Sequence, residues 1–401
     1  MPDRQAATVE FDHVTKRYDH ASAAEGTPGA VEDLSLLVPA GKVCVLVGPS
    51  GCGKTTSLRM VNRLIDPTGG RVLVDGVDVA ERDLVELRRG IGYVIQQVGL
   101  FPHQSIGENV ATVPRLLGWT AARRRERAEE LLALVGLDPA AYRDRYPAQL
   151  SGGERQRVGV ARALAADPPI LLMDAPFGAV DPIVRERLQN ELLRLQETIA
   201  KTILFVTHDI DEAIKMGDLV AVMATGGHLL QYGPPEEILA RPASAFVAQF
   251  VGTDRGLKRL SLARVDVLPI RPAITARPGD PAGRTRERIL ADPFPYVLLV
   301  DNLDRPIGWL DQHSLPADGP LTAASAIPMS PIFDRRTTLK DALSMLLDAD
   351  VQAGVLVDRD RRVRGIVTVG MVADWFRAGA GGDAALTVAA TDPSAAAAVR
   401  A

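Results

Sequence analysis

The chain has no long hydrophobic run. None of its segments approaches the roughly 20 consecutive apolar residues that a membrane-spanning helix requires. Its first residues, MPDRQAATVEF, also lack the basic-then-apolar pattern of a secretory signal. We therefore expect neither a membrane span nor a secretory leader in this sequence.

Cysteine is also scarce, with only two among 401 residues. Cys44 lies in a predicted buried strand and Cys52 in a glycine-rich loop, and neither position suits a disulfide or a metal site. This usage favours a reducing compartment. The formal net charge of −4 gives no overall basic field, so we do not expect nucleic acid as a partner.

One segment carries a phosphate-binding pattern. The residues GPSGCGKTT fit G-x-x-x-x-G-K-[ST], follow a predicted buried strand at Val43–Val47 and precede a predicted helix at Thr55–Leu64. Glycines allow a tight turn that aims backbone N–H groups at phosphate oxygens, while Lys54 adds charge and the Thr55 hydroxyl can bind Mg²⁺. The predicted phosphate-loop residues are Gly48, Pro49, Ser50, Gly51, Cys52, Gly53, Lys54, Thr55 and Thr56.

A second segment, Leu150–Glu154, reads LSGGE. Ser151 is a good N-cap for a predicted helix that ends at Ala165, with Glu154 completing a capping box. Together, the two motifs resemble those of an ATP-binding-cassette (ABC) ATPase subunit, and the resemblance covers roughly residues 8–250. The signature differs mildly from the family's more usual LSGGQ at Glu154, and we expect little consequence.

The resemblance implies further roles around ATP. Tyr18 corresponds to the aromatic residue that stacks on adenine. Gln96 corresponds to the glutamine that contacts Mg²⁺ and faces the membrane partner. Gln97 is the neighbouring candidate, but the spacing to Leu100-Phe101-Pro102-His103 favours Gln96.

Three more motifs follow in the family's order. Asp174 ends the apolar run ILLMD and is expected to hold the hydrated metal together with Thr55 and Gln96. Asp181, in GAVDP, matches a loop that crosses the dimer interface, and His208, in LFVTHD, matches the switch histidine that contacts the γ-phosphate. In the family, the signature of one subunit contacts the nucleotide held by the other. The resemblance therefore implies a homodimer in which Ser151, Gly152, Gly153 and Glu154 act in trans.

One position departs from the family. The glutamate that polarises the attacking water should follow Asp174, but the chain has Ala175. A methyl group can neither accept a proton nor orient water, and losing a positioned base costs about 10²–10⁴ in rate. Either the protein has degenerated naturally or the glutamate was replaced to trap ATP. Because every other motif is intact, we favour replacement; the unaltered protein would then be an active ATPase.

Length and composition suggest more than one domain. With 401 residues, 46% of them hydrophobic, two or three domains with real cores are expected. The resemblance implies an α/β cassette of the P-loop NTPase class at residues 8–252. It has a mostly parallel sheet, an antiparallel β layer and a helical subdomain at about 97–165.

The composition changes after Gly252. Residues 253–263 are predicted to be a linker, within a Pro-, Arg- and Gly-rich stretch that runs to 285. Two strand–turn–strand patterns then repeat at about 60 residues and resemble an α+β pair of cystathionine-β-synthase (CBS) domains. The first copy, 264–316, is eroded, and the second spans 325–378. The aspartate usual after Gly365–Thr368 is Met371 here, which weakens a nucleotide site, and residues 379–401 are expected to be disordered.

This domain combination resembles the ATPase subunit of bacterial osmoprotectant importers for glycine betaine, proline betaine, carnitine or choline. It implies ATP and Mg²⁺ as cofactors, integral membrane permease subunits as partners and a solute-binding protein acting indirectly. A regulatory nucleotide could act at the CBS pair. The expected location is the cytoplasmic face of the bacterial inner membrane. Three alternatives stay open: a nucleotide-sensing module without turnover, an importer of another solute, and a non-transport cassette.

Overall fold

The computed structural model describes residues 6–18, 29–95, 99–178, 182–292, 294–329 and 331–380, apart from the side chains of 379 and 380. Gln96, Gln97, Asp181 and the predicted tail from residue 381 onward lie outside these ranges. The chain divides into two compact units, one comprising residues up to 238 with 242–251, the other 239–241 with residues from 252 onward.

The first unit opens with an antiparallel sheet of order β2-β1-β4-β5. Buried residues alternate with exposed ones along β2 because only one face of this sheet packs into the core. The antiparallel layer predicted around the first two strands is confirmed. The strands are β1 (Val9–Lys16), β2 (Val31–Val38), β4 (Gly69–Val74) and β5 (Val77–Asp78).

The main sheet of this unit has six strands. They are β3 (Val43–Val47), β6 (Ile91–Val94), β7 (Ile170–Asp174), β8 (Thr202–Thr207), β9 (Leu219–Ala224) and β10 (His228–Gly233). Their order is β10-β9-β3-β8-β7-β6, and only β10 runs antiparallel to its neighbour. Every residue of β3, β7 and β8 is buried, as expected for parallel strands covered on both faces.

The helices of this part of the chain fall into two groups. A helical subdomain between β6 and β7 contains α3 (Ile106–Val110), α4 (Thr112–Leu116), α5 (Ala121–Leu134), α6 (Pro139–Tyr142) and α7 (Gly152–Leu164). The others are α1 (Lys54–Val61), α2 (Leu84–Arg89), α8 (Pro182–Ile199), α9 (Ile210–Met216), α10 (Pro235–Ala240) and α11 (Ala245–Val251). No helix among the described residues of the whole chain has the length and apolar character to cross a membrane.

The second unit begins with a helix where composition predicts a linker. Helix α12 (Arg255–Leu262) occupies most of the predicted linker 253–263, and this segment belongs to the second unit. The Pro-rich composition belongs to the residues that follow, whereas 255–262 contain no proline. Leu260 is buried with Phe333 and Leu339 in the core of this unit.

An internal repeat builds the rest of the second unit. Its first copy comprises β11 (Thr275–Ala276), α13 (Ala282–Ala291), β12 (Val297–Val300) and β13 (Pro306–Leu310), with β14 (Ile327–Pro328) added beside β13. Its second copy comprises β15 (Ile332–Phe333), α14 (Leu339–Leu347), β16 (Ala353–Val357) and β17 (Val363–Thr368), followed by α15 (Val369–Ala380).

The two copies share topology as well as order. In each, a short strand pairs in parallel with the next strand, which pairs antiparallel with the third. The tight turns also match: Asp301 accepts backbone hydrogen bonds from Leu303 and Arg305, and Asp358 accepts them from Asp360 and Arg362. The expected repeat is therefore present, and its assignment to CBS domains stays a prediction.

Candidate nucleotide-binding site

The phosphate-binding loop connects β3 to α1. Gly51 and Gly53 have φ of 82° and 84°, the left-handed region that glycine adopts without strain. At Gly53 the surroundings also exclude a side chain, because a Cβ would lie 2.2 Å from the Ala30 carbonyl oxygen. The two glycines bring the chain round so that α1 begins at Lys54, directly after the loop.

Lys54 folds over the loop that precedes it. Its Nζ donates to the carbonyl oxygens of Gly48 and Pro49, both at 2.8 Å. Cys52 is fully buried beneath, with its Sγ 3.4 Å from the same ammonium group. The loop therefore concentrates an ammonium group and the N-terminus of α1 in one place, which favours a bound polyphosphate.

Thr55 and Asp174 form the predicted metal-binding pair. The Thr55 hydroxyl donates to Asp174 Oδ1 at 2.9 Å, although 119 residues separate the two in sequence. Asp174 ends β7 and is 6% exposed. One hydroxyl and one carboxylate fit Mg²⁺, which takes few protein oxygens and completes its shell with phosphate and water. Gln96, the third predicted ligand, lies outside the described residues.

His208 reaches the same edge of the sheet. It follows β8, which lies between β3 and β7. The parallel register pairs Val47 with Thr207 and Asp174 with Val206, so the carboxyl ends of all three strands coincide. His208 is exposed there, as a switch histidine must be to contact a γ-phosphate.

Ala175 lies at this edge, at the position where the family resemblance predicts a water-polarising carboxylate. Its backbone N–H donates to the Val206 carbonyl oxygen at 2.9 Å, and its φ of 41° lies in the left-handed region. Its side chain is half-buried. The turn is therefore held by its backbone, while the side chain supplies no group that could accept a proton.

The signature segment caps α7. Ser151 accepts from the Glu154 N–H at 3.3 Å, and the Ser151 N–H donates to Glu154 Oε2 at 2.7 Å, which confirms the predicted capping box. Tyr142 donates to Glu154 Oε1 at 2.6 Å. These bonds hold the pKa of Glu154 at about 2, the Tyr142 hydroxyl contributing most.

The two glycines at the start of α7, Gly152 and Gly153, differ in the space around them. Among the described residues, a Cβ on Gly152 would meet no atom within 4 Å, and one on Gly153 would lie 3.0 Å from Val184. Contact with the described residues therefore disfavours a side chain at Gly153 but not at Gly152. Gly152 leaves an open approach to the N-terminus of the helix.

Tyr18 follows the end of β1 and is 45% exposed. The Lys16 ammonium lies 5.3 Å from the centre of its ring. The carbonyl oxygen of Lys16 accepts from the N–H of Ala30, and Ala30 is the residue that crowds Gly53. Tyr18 thus leaves the sheet next to the phosphate-binding loop, and its side chain is partly exposed there, as adenine stacking requires.

The structure brings together most predicted residues and adds others. Lys54, Thr55, Asp174, Ala175 and His208 share one sheet edge. Sequence reasoning missed Tyr142, which holds the signature glutamate. It also missed a buried polar cluster behind His208, formed by Gln189, Thr207 and Glu212. The sequence did offer a helix-capping signal at Asp209, with Glu212 three residues later. The contacts that Tyr142 and Gln189 make join distant parts of the chain, so no local sequence pattern indicated them.

Relatives of this chain are found among ABC transporter proteins. Residues 31–178 match the family model described as ABC transporter. The chain is 44% identical over 373 residues to the osmoprotectant import ATP-binding protein OsmV of Salmonella typhimurium, covering 92% of this chain and 97% of that protein. It is 40% identical to the glycine betaine/carnitine/choline transport ATP-binding protein OpuCA of Bacillus subtilis, covering 91% and 95%. A dimeric ATP-binding cassette solved with ADP and Pi, in a post-hydrolysis state, is 35% identical with a TM-score of 0.50, covering 57% and 98%.

Proposed function

The chain belongs to the ATP-binding subunits of ABC transporters, and from that premise we propose that it is the ATPase subunit of an importer for quaternary-ammonium osmoprotectants. The match to osmoprotectant import proteins extends over both units, at 92% of the chain for OsmV, and this full-length likeness carries the assignment of the solute class. A match confined to the cassette would support only the general family.

ATP and Mg²⁺ fit the described residues in the following way. The nucleotide phosphates lie on the glycine loop, with Lys54 and the N-terminus of α1 balancing their charge. Thr55 and Asp174, whose oxygens lie together, would hold Mg²⁺, which would neutralise phosphate charge. His208 contacts the γ-phosphate from the end of β8, and Tyr18 stacks on adenine.

Ala175 makes this chain a slow ATPase that retains binding. The phosphate and metal ligands are tied to each other through Thr55 and Asp174, independently of the side chain at 175. Without a carboxylate to orient water, turnover falls by about 10²–10⁴. The same residue favours the alternative function, a nucleotide-sensing module that never turns over, which restoration of glutamate distinguishes.

The working unit is a homodimer in which each nucleotide is shared. Among the described residues, nothing lies within 4 Å of a Cβ on Gly152, and this leaves room there for a nucleotide held by a second subunit. Lys54 and Thr55 of one subunit would then face Ser151 and Gly152 of the other across ATP. Two equivalent sites follow from such an isologous pairing.

The other partners complete an import system. Permease subunits in the membrane bind the cassettes at the cytoplasmic face of the inner membrane, and a solute-binding protein delivers the solute to them. The repeat of the second unit acts as a CBS pair that regulates cassette association. Met371 packs against the core of this unit rather than presenting an acidic ligand group, which favours a signal other than an adenosine nucleotide.

Reconstituted transport tests the proposal. The chain is co-purified with the permease subunits from neighbouring genes, and the complex is placed in vesicles in the Ala175→Glu background. Uptake of glycine betaine, carnitine, choline and proline betaine is compared with uptake of maltose and histidine. We expect ATP-dependent uptake of one or more quaternary amines only, with none for a Lys54→Ala control. Uptake of a sugar or an ordinary amino acid instead would refute the solute class.

A further inference from the structure

A buried polar cluster lies directly behind His208. Gln189 Nε2 donates to Glu212 Oε1 at 3.0 Å, and the Thr207 hydroxyl also donates to the Glu212 carboxylate. Exposure is 6% for Gln189, 2% for Thr207 and 7% for Glu212. Burial raises the pKa of Glu212, and the two hydrogen bonds oppose that rise.

The cluster joins α8 to the end of β8, the strand that leads to His208. Gln189 lies on α8, which begins at Pro182, directly after the predicted interface residue Asp181. Thr207 ends β8 and immediately precedes His208. A second link runs in parallel, since Arg185 Nη1 of α8 lies 4.0 Å from Asp209 Oδ2.

Thr207 fixes the backbone on both sides of the histidine. Its hydroxyl donates to Glu212 and accepts from the N–H of Asp209 at 3.1 Å. The Asp209 carboxylate in turn caps α9 by accepting from the N–H groups of Asp211 and Glu212. The turn that carries His208 is therefore closed by hydrogen bonds that all lead to Glu212 or its helix.

A purely structural role is the competing explanation. Leu188, Leu192 and Leu195 already pack α8 against the protein, so the helix does not need a polar anchor. Burying a carboxylate and an amide is expensive unless every bond is made, and apolar residues of similar size would often be as stable. A role in holding the turn that carries His208 explains a buried polar cluster at this place better than a role in stability does.

We propose that Glu212, anchored by Gln189, is a positioning residue that holds the His208 turn in register with the start of α8. This inference rests on the proposed function, since it concerns the same ATPase reaction. Glu212 does not touch the nucleotide; it acts through His208.

The experiment compares three variants in the Ala175→Glu protein. The apolar pair Gln189→Leu with Glu212→Leu removes the cluster without leaving an unpaired polar group. The swapped pair Gln189→Glu with Glu212→Gln rebuilds a donor–acceptor bond in the opposite sense. The control, Gln196→Leu, removes hydrogen bonds to Gly41 and Lys201 from the same helix far from His208.

We expect the apolar pair to lower kcat about tenfold or more while KM for MgATP changes less than threefold. The swapped pair should have a kcat within about threefold of that of the Ala175→Glu parent, and the control Gln196→Leu should have the same kcat as the parent. In a His208→Ala background the apolar pair should cause no further loss, because the residue through which it acts is gone. An unchanged kcat, or a loss that multiplies with that of His208→Ala, would overturn the inference.

A measurement without turnover keeps the inference separate from the proposed function. In the chain as it stands, the ¹³C resonance of the His208 ring is assigned by comparison with His208→Ala. The apolar pair should shift or broaden this resonance with MgATP bound, and the control should not. An unchanged resonance counts against positioning, whereas absence of ATPase activity in the Ala175→Glu parent counts against the proposed function.

Discussion

Replacing Ala175 by glutamate should convert a slow ATPase into a fast one. The position lies at the carboxyl edge of the main sheet, one residue after Asp174, the predicted metal ligand, and beside the β8 strand that leads to His208. The methyl group is only half-buried, so a longer side chain there is not confined to the core. A positioned general base contributes about 10²–10⁴ in rate, so kcat should rise about 100-fold or more, roughly 2.7 kcal/mol of barrier.

The stability cost of this change should be small. The left-handed backbone at 175 costs any residue with a Cβ about 1–2 kcal/mol, and alanine already bears that cost. The hydrogen bond from the 175 N–H to Val206 is a backbone bond and survives the substitution. The melting temperature should therefore move by only a few degrees, which makes the kinetic comparison clean.

Steady-state phosphate release measures the effect in the purified chain with saturating MgATP. Ala175→Gln has the same shape as the glutamate variant but cannot accept a proton, so it should stay near the starting rate. Lys54→Ala in the glutamate background reports contaminating activity. An increase below about threefold, or equal rates for the glutamate and glutamine variants, would show that the missing base does not limit turnover.

Four further outcomes follow from the same geometry. MgATP should drive the chain into a long-lived dimer on sizing columns. Gly152→Val should abolish that dimer without changing the melting temperature, because no atom of the described residues lies within 4 Å of a Cβ at this position. Thr55→Val should weaken Mg²⁺-dependent ATP binding about tenfold or more, measured by calorimetry with and without Mg²⁺, since it removes the hydroxyl bonded to Asp174. The pKa of Glu154 is about 2 in the folded protein, below its ordinary value, so its stabilising bonds are complete above about pH 4.5 and are lost as the pH falls towards 2; Glu154→Gln should flatten acid unfolding in that range, followed by circular dichroism. Removing residues 253–401 deletes α12 together with the core of the second unit against which it packs. This truncation should preserve ATP binding and abolish any salt or nucleotide dependence of transport. An unchanged response would refute the regulatory role of the second unit.

Local motifs made much of the site predictable. The phosphate-binding loop and the signature each occupy a few consecutive residues. Each requires a specific backbone conformation, which the glycines and the capping serine indicate in the sequence. The contact between Thr55 and Asp174 spans 119 residues, and only the family resemblance suggested it. The bond between Gln189 and Glu212 had no such aid, because neither residue belongs to a recognised motif.

Composition was a poor guide to the structure of residues 253–285, because this window contains both a helix and a proline-rich segment. The proline-rich character of residues 253–285 concealed α12, whose eight residues have a buried Leu260 on one face. The repeat in the second unit was predictable because its turns are local. Asp301 and Asp358 each organise their own loop through backbone N–H groups two and four residues later. These turns predict the pairing of the two strands that they connect. The pairing of strands that a helix separates can be predicted only when that helix is also recognised.

The architecture of the sheet edge explains how binding can persist while the water-activating group is missing. Lys54 is positioned by the carbonyl groups of its own loop, and Thr55 by Asp174. Position 175 is held by backbone bonds, because its N–H donates to Val206 and its carbonyl oxygen accepts from the Gly178 N–H. Since the described hydrogen bonds of Lys54, Thr55 and Asp174 do not involve the side chain at 175, we expect a methyl group there to leave the predicted site assembled. For the same reason, we expect a single substitution to restore turnover.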